Sequence, residues 1–342
     1  MSVRVCLYGT GQASAHHVEV LRAVAPEVAI SVASRDRAKA DAFRAAHALA
    51  GAFGSYDDAM AAPTDVAVIA TPPSTHADLV GRLLPTGAHL LVEKPAFGDL
   101  GELQRLWPDL VAARDRVMIG ENQHFAPQAA TLRDTLRRES FGRPILIQVN
   151  RMIHSPLRTW RADPVEMPWG ALHEAGVHWI RRLLHLTETF ADDADTDVLH
   201  VDALSPATRT TETPGDETMV VLAQHASGAL SQLTHSWGIA HRTGFFDLSK
   251  VVCENGAIYF DARGRIGIVF AGRRGRPSGV LAPVRKDRNG YEAMWRSFLG
   301  SARQGTLPEL TLEESFRDFA YLDAAYRSQR SGRREVPVRV GD

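Results

Sequence analysis

The chain has 342 residues, 44% hydrophobic and 23% charged, which is the balance of a soluble globular protein long enough for two cores. A formal net charge of −1 gives no general pull toward nucleic acid or an anionic membrane, and neither is expected as a partner. Cys6 and Cys253 are the only cysteines, and each lies in a strand-like apolar run, so they read as small buried residues and not as a disulfide or metal framework. No apolar run approaches ~18 residues, and the start shows no basic stretch leading into a long apolar one, so the expected location is cytoplasmic.

The first strand, Val3 to Tyr8, ends in Gly9-Thr10-Gly11-Gln12-Ala13-Ser14 and opens into a helical pattern. Gly9 permits the sharp turn, and Gly11 lets main-chain N–H groups approach a pyrophosphate at the helix N-terminus. Ser14 stands where a third glycine is usual and is small enough for helix–strand packing. A second strand, Val28 to Ala33, ends at Ser34 and Arg35, with Asp36 placed to cap the next helix. A hydroxyl and a guanidinium suit a ribose 2′-phosphate, so NADP is favoured over NAD.

The apolar run Val66 to Ala70 reads as a strand of a sheet covered on both faces. It leads into Thr71-Pro72-Pro73-Ser74-Thr75-His76, either a cofactor-side loop using Thr71, Pro72 and His76 or a rigid Pro-rich turn with Ser74 as a helix cap. The strand from His89 delivers Glu93 and Lys94 at its carboxyl end, with Pro95 stiffening the turn. Lys94 is one of only four lysines among 39 basic residues. It can serve as an acid or hydrogen-bond donor to a reacting oxygen, or form a simple strand-end pair with Glu93.

These motifs together resemble the Gfo/Idh/MocA family, the glucose–fructose oxidoreductase and inositol dehydrogenase group. The resemblance rests on the glycine turn with His17, on Ala70 to His76 and on Glu93-Lys94-Pro95. It continues through Gly120 to Pro127, Phe141 to Pro144, Thr159 to Pro164 and Ala324 to Ser328. It implies an α/β fold in which an N-terminal Rossmann domain, 1–121, precedes an α+β domain, 122–342, with a large, mostly antiparallel open sheet and the active site between the two. The cofactor would contact Gly9, Gly11, Gln12, Ser14, Ser34, Arg35, Thr71, Pro72, His76, Glu93 and Lys94.

In the second domain Glu174 and His178 are four apart on one helix, Trp169 to Leu186. A carboxylate bonded to an imidazole fixes its tautomer and raises its basicity, as a general base needs. Similar enzymes carry Asp-x-x-x-His here, so His178 is the candidate base and Glu174 its longer orienting partner. His173 and His178 are five apart and diverge on an α-helix, so no metal site is expected. Asn122, His124, Arg158, Trp160, Arg161, Trp237 and His241 are expected around the substrate, and the basic run at Arg273, Arg274 and Arg276 reads as a solvated hairpin.

Strands are expected over Ile145 to Met152, Val198 to Leu204, Met219 to Gln224, Ala229 to Ser236, Leu248 to Cys253 and Ala257 to Asp261, and closing helices over Tyr291 to Arg303 and Leu312 to Gln329. The resemblance implies hydride transfer between a nicotinamide and a secondary alcohol or ketone of a sugar, inositol or similar cyclic polyol. It also implies a homodimer or homotetramer formed through the second domain's sheet. Two other readings of the family stay open: an NAD-dependent glycosidase working by transient oxidation, and a catalytically silent regulatory protein.

Overall fold

Six strands pair in parallel in the order β3-β2-β1-β4-β5-β6, with the strand order reversing between β1 (Arg4–Tyr8) and β4 (Val66–Ile69). The others are β2 (Ala29–Ala33), β3 (Gly51–Phe53), β5 (His89–Glu93) and β6 (Val117–Gly120). The computed structural model describes residues 3–138, 141–155, 159–190, 197–239, 247–262, 264, 266–272, 277–282 and 286–341. Arg158, His241, Arg273, Arg274 and Arg276 lie outside the described residues.

The parallel sheet has the composition that its burial demands. All of β4 and β6 is buried, and in β1 only Arg4 is exposed. The intervening helices are α1 (Gln12–Val24), α2 (Arg37–Ala46), α3 (Tyr56–Ala61), α4 (His76–Leu83) and α5 (Leu100–Ala112). Short acceptors start three of them: Asp36 takes the N–H groups of Ala38 and Lys39, Ser55 that of Asp58, and Asp99 that of Glu102. Ser74 does not cap α4 as expected. It sits inside a 3₁₀ turn, Pro73–Thr75, and Thr75 precedes the helix without a side-chain cap.

By its contacts the chain divides into two units, residues 1–121 with 291–315 and residues 122–290 with 316–342. This differs from the expected division in one respect: the segment from Tyr291 returns to the first unit, where α8 (Tyr291–Gln304) lies along α1. Thr311 and Glu314 exchange bonds as a capping box before α9 (Leu312–Ser331).

The second unit begins with α6 (Pro127–Arg138) and β7 (Pro144–Met152). A π-helical turn, Leu172–Gly176, runs directly into α7 (Val177–Glu188). The strands β8 (Val198–Leu204), β9 (Thr218–His225), β10 (Leu230–Ser236), β11 (Leu248–Cys253), β12 (Gly256–Asp261), β13 (Gly267–Ala271) and β14 (Gly279–Leu281) complete a sheet in the order β14-β13-β12-β11-β7-β10-β9-β8. Within this second sheet, β7 and β10 are the one parallel pair among the described strands.

The strands β13 and β14 were not legible in the sequence, where short runs flanked by glycine and arginine look like loop. Strand β9 alternates: Met219, Val221 and Ala223 are buried and Leu222 is half exposed. Helix α7 packs on β7 and β10. The opposite face, the one expected to meet a partner chain, keeps Leu204, Leu222, Leu230 and Leu248 exposed. No helix among the described residues is long and apolar enough to cross a membrane.

Candidate functional site

The first unit's strand order places a crevice at the carboxyl ends of β1 and β4, the switch point where open parallel sheets bind dinucleotides. Gly9 has φ +118°, and a Cβ there would meet the carbonyl oxygen of Ala70 at 2.6 Å, so only glycine allows the two loops to approach. A Cβ at Gly11 would meet nothing within 4 Å, and α1 starts there with no side-chain cap, leaving its first N–H groups for an acceptor from outside the helix. Ser14 is fully buried, and its hydroxyl donates to the Gly9 carbonyl at 2.8 Å, which explains a serine at the third position: it packs like glycine and also pins the turn. Gln12 is exposed on the first turn of α1.

At the end of β2, Ser34 Oγ accepts the Asp36 N–H, while the Asp36 carboxylate is occupied as a helix cap. Arg35 is exposed beside Tyr56, where its charge opposes the upward pKa shift that burial imposes on the Tyr56 hydroxyl. In the next loop the Thr75 hydroxyl donates to that of Thr71 at 2.6 Å, and the His76 ring bonds the Thr71 carbonyl at 2.8 Å. His76 is buried, which holds its pKa below the ordinary imidazole value, so Nε2 is its donor to that carbonyl. His76 therefore braces the Thr71–Pro72 loop through this bond.

Lys94 is partly buried just past the carboxyl end of β5, and its N–H donates to Glu93 Oε2 at 3.0 Å. The Glu93 carboxylate is itself held by His17, 2.9 Å from Oε1, and His17 Nδ1 accepts the indole N–H of Trp295 at 3.0 Å. An indole nitrogen can only donate, so Nδ1 is bare and Nε2 carries the proton given to Glu93. Trp295 and His17 are both fully buried. Sequence reasoning missed Trp295, because a tryptophan on an amphipathic helix looks like ordinary core.

In the second unit Glu174 lies within the π turn, and His178 follows in the first turn of α7. Such turns are frequent at functional sites. Arg161, expected near substrate, grips Glu174 Oε1 through Nε at 2.9 Å and Nη2 at 2.7 Å. The guanidinium sits over the Trp160 ring, 4.7 Å from its centroid. Trp237, also expected near substrate, is only 1% exposed and forms a small core with Met167 and Ala171, against which Trp160 packs. An apolar floor thus supports the segment that holds Glu174.

Two other expected substrate residues belong to the interior. Asn122 is buried and donates to the Asn289 carbonyl at 2.6 Å. His124 is 7% exposed, with its ring 4.8 Å from that of His185. Burial, then the nearby Arg181, Arg133 and Arg182, push its pKa down to about 3. Burial, then His124 and the same arginines, take His185 down to about 2. Both are neutral rings in a cationic surrounding. The two thiols are inert as well, since burial raises Cys6 to about 11 and Cys253 to about 12.

Comparison with known proteins agrees with this architecture. Residues 3–121 match the sequence profile of an oxidoreductase family with an NAD-binding Rossmann fold, GFO/IDH/MocA, and residues 129–259 match that family's C-terminal domain. Inositol 2-dehydrogenase of Rhizobium meliloti is 26% identical over 340 residues, 96% of this chain and 97% of that protein. Inositol 2-dehydrogenase 1 of Saccharopolyspora erythraea is 31% identical over 53% of this chain, a match spanning about half of its own length (55%). The fold recurs in an NAD binding oxidoreductase from Klebsiella pneumoniae at a TM-score of 0.86 and 17% identity, covering 99% of this chain and 100% of that one. With both of its domains matched, the chain belongs to the Gfo/Idh/MocA family of oxidoreductases.

Proposed function

We propose that the protein transfers a hydride between a nicotinamide dinucleotide and a secondary alcohol or ketone of a cyclic polyol or sugar. The observation that carries this reading is the setting of Lys94, at the carboxyl end of a strand in a parallel sheet with dinucleotide order, its main chain tied to a carboxylate that His17 holds in place. The uncapped start of α1 at Gly11 fits a pyrophosphate, and a bound nicotinamide supplies the hydride acceptor or donor. His178 takes the hydroxyl proton as the carbinol is oxidised and returns it in the reverse direction. Lys94 donates a hydrogen bond to the alkoxide that develops, and Glu174, fixed by the Arg161 guanidinium, lies one helical turn before His178 as its orienting partner. The inositol dehydrogenases among the relatives support a cyclic polyol as substrate class.

The phosphorylated cofactor is the preferred one in this reading, because Asp36 is committed to its helix while Arg35 is exposed at the strand end. Thermal unfolding with NAD⁺, NADH, NADP⁺ and NADPH tests it directly. A cofactor at a hundredfold over its Kd adds about 2.7 kcal/mol. The shift is expected with the phosphorylated pair. A shift with NAD(H) alone overturns the Arg35 assignment and leaves the hydride chemistry standing, whereas no shift with any of the four overturns both.

A further inference from the structure

Residues 169–174 begin a helix in an unusual way. The first turn of any helix leaves N–H groups without intrahelical partners, and a Ser, Thr, Asp or Asn next to it in sequence usually accepts one. Ala171 precedes the π turn here with no side-chain cap of its own. Its N–H donates to the Asp216 carbonyl at 2.8 Å, and the Leu172 N–H donates to Asp216 Oδ2 at 3.1 Å. The His173 N–H donates to the Tyr326 hydroxyl at 3.1 Å. That hydroxyl in turn donates to Asp216 Oδ1 at 2.5 Å, and the Asp216 N–H closes the loop on the Trp169 carbonyl at 2.8 Å. Three successive N–H groups are therefore satisfied by two residues from remote parts of the chain.

The backbones can come this close only because two glycines face each other. A Cβ on Gly170, at φ +111°, would lie 2.3 Å from Asp216 main-chain atoms, and one on Gly215 would lie 1.7 Å from the Trp169 oxygen. Tyr326 is buried, and burial pushes the Asp216 carboxyl up to about 6 even though it accepts bonds from Tyr326 and Leu172. The fold retains a partly buried carboxylate at this point, where a local serine could have capped the helix.

We propose that Asp216 and Tyr326 are positioning residues for Glu174 and His178. The π turn holds one residue more than an α-helical turn, and releasing it slips the helix by one position, which rotates a side chain by about 100°. Clamping the N–H groups of residues 171–173 fixes the end of the helix from which that slip would start. His178, just beyond the turn, then has a single direction in which to take a proton. The consequence for turnover rests on His178 being the base; the clamp itself does not.

The test uses the full chain as Tyr326→Phe and, separately, Asp216→Asn, both of which preserve shape. Amide hydrogen exchange across residues 171–178 is expected to speed up at least tenfold in either variant, and the His178 ring titration followed by NMR is expected to move. With myo-inositol as the probe substrate, kcat is expected to fall tenfold or more while the KM for the cofactor stays within twofold. A general loss of stability would instead speed exchange throughout the second unit's sheet and leave the His178 titration in place, and that result overturns the proposal. Unchanged exchange and titration in both variants also overturn it, and if one variant does not fold, the other decides. His178→Ala separates the two readings: if it keeps full turnover the catalytic assignment fails, while the exchange and titration results still judge the clamp.

Discussion

The two units each carry one of the groups proposed for the chemistry, and they hold it in different ways. In the first, Lys94 follows a strand whose neighbours are dictated by the parallel sheet, and its support comes from Glu93 at the end of that strand and from His17 within α1, the helix that follows β1. Trp295 then reaches His17 from 278 residues further along the chain. In the second, Glu174 and His178 share one short helix, yet that helix is held by Arg161, Asp216 and Tyr326, from three separate segments. A strand end is fixed by the sheet that contains it, whereas the start of a helix has free N–H groups that something else must satisfy.

The largest effects should fall on the active groups themselves. His178→Ala is expected to lower kcat by about 10²–10⁴-fold, the usual contribution of a general base. Lys94→Ala should cost about 10²–10³-fold, the scale for losing one donor to a developing oxyanion. Steady-state kinetics with the cofactor that stabilises the fold measure both, and cofactor binding by the His178 variant should be unaltered. Unchanged turnover in either variant removes that group from the mechanism, and with it one side of the comparison.

The pH dependence of stability sharpens the contrast within the second unit. His124 and His185 are held well below the ordinary imidazole pKa, so the stability they confer is complete above about 6.5 and is lost as pH falls toward their folded values. Each costs about 1.4 kcal/mol per pH unit over that range. Asp216 has the opposite sign: its pKa is raised, so its contribution is complete below about 3.8 and lost as pH rises through about 6, a span worth about 3 kcal/mol. Between pH 4 and 6 the two trends oppose each other. Urea unfolding across that range should give a steeper acid loss in Asp216→Asn than in the wild type, by about one proton; parallel curves would place the Asp216 titration elsewhere.

The smallest effect concerns the far end of the Lys94 support. Trp295→Phe keeps the ring and removes the donor to His17 Nδ1, leaving a buried acceptor unsatisfied at a cost of about 1–3 kcal/mol. Denaturant melts measure this loss, and the Lys94 environment should change with it. If stability is unaltered, Trp295 is packing alone and the first unit's support ends at His17.

Much of the first unit could be read from the chain. The glycine turn, the apolar strands and the cap at Asp36 are local grammar, decided by backbone freedom, two-sided burial and nearby acceptors. Of the candidate site, Lys94 and His178 were legible as residues in telling places, while the surroundings of Glu174, Arg161, Trp237 and His124 were not. Arg161 and Trp237 are polar or aromatic residues near a motif, and nothing in their spacing distinguishes a ligand contact from an ion pair or a core contact.

By itself the sequence determined the alternation of elements, the parallel first sheet and the family motifs, because these depend on neighbours within a few residues or on a repeating pattern of burial. Only the tertiary structure decided that residues 291–315 join the first unit, that Trp295 fixes the His17 tautomer, and that Asp216 and Tyr326 cap a helix 44 and 153 residues away from Leu172 and His173. Those bonds follow from which polar groups remain unsatisfied once the chain has packed, and no local pattern in the sequence records that.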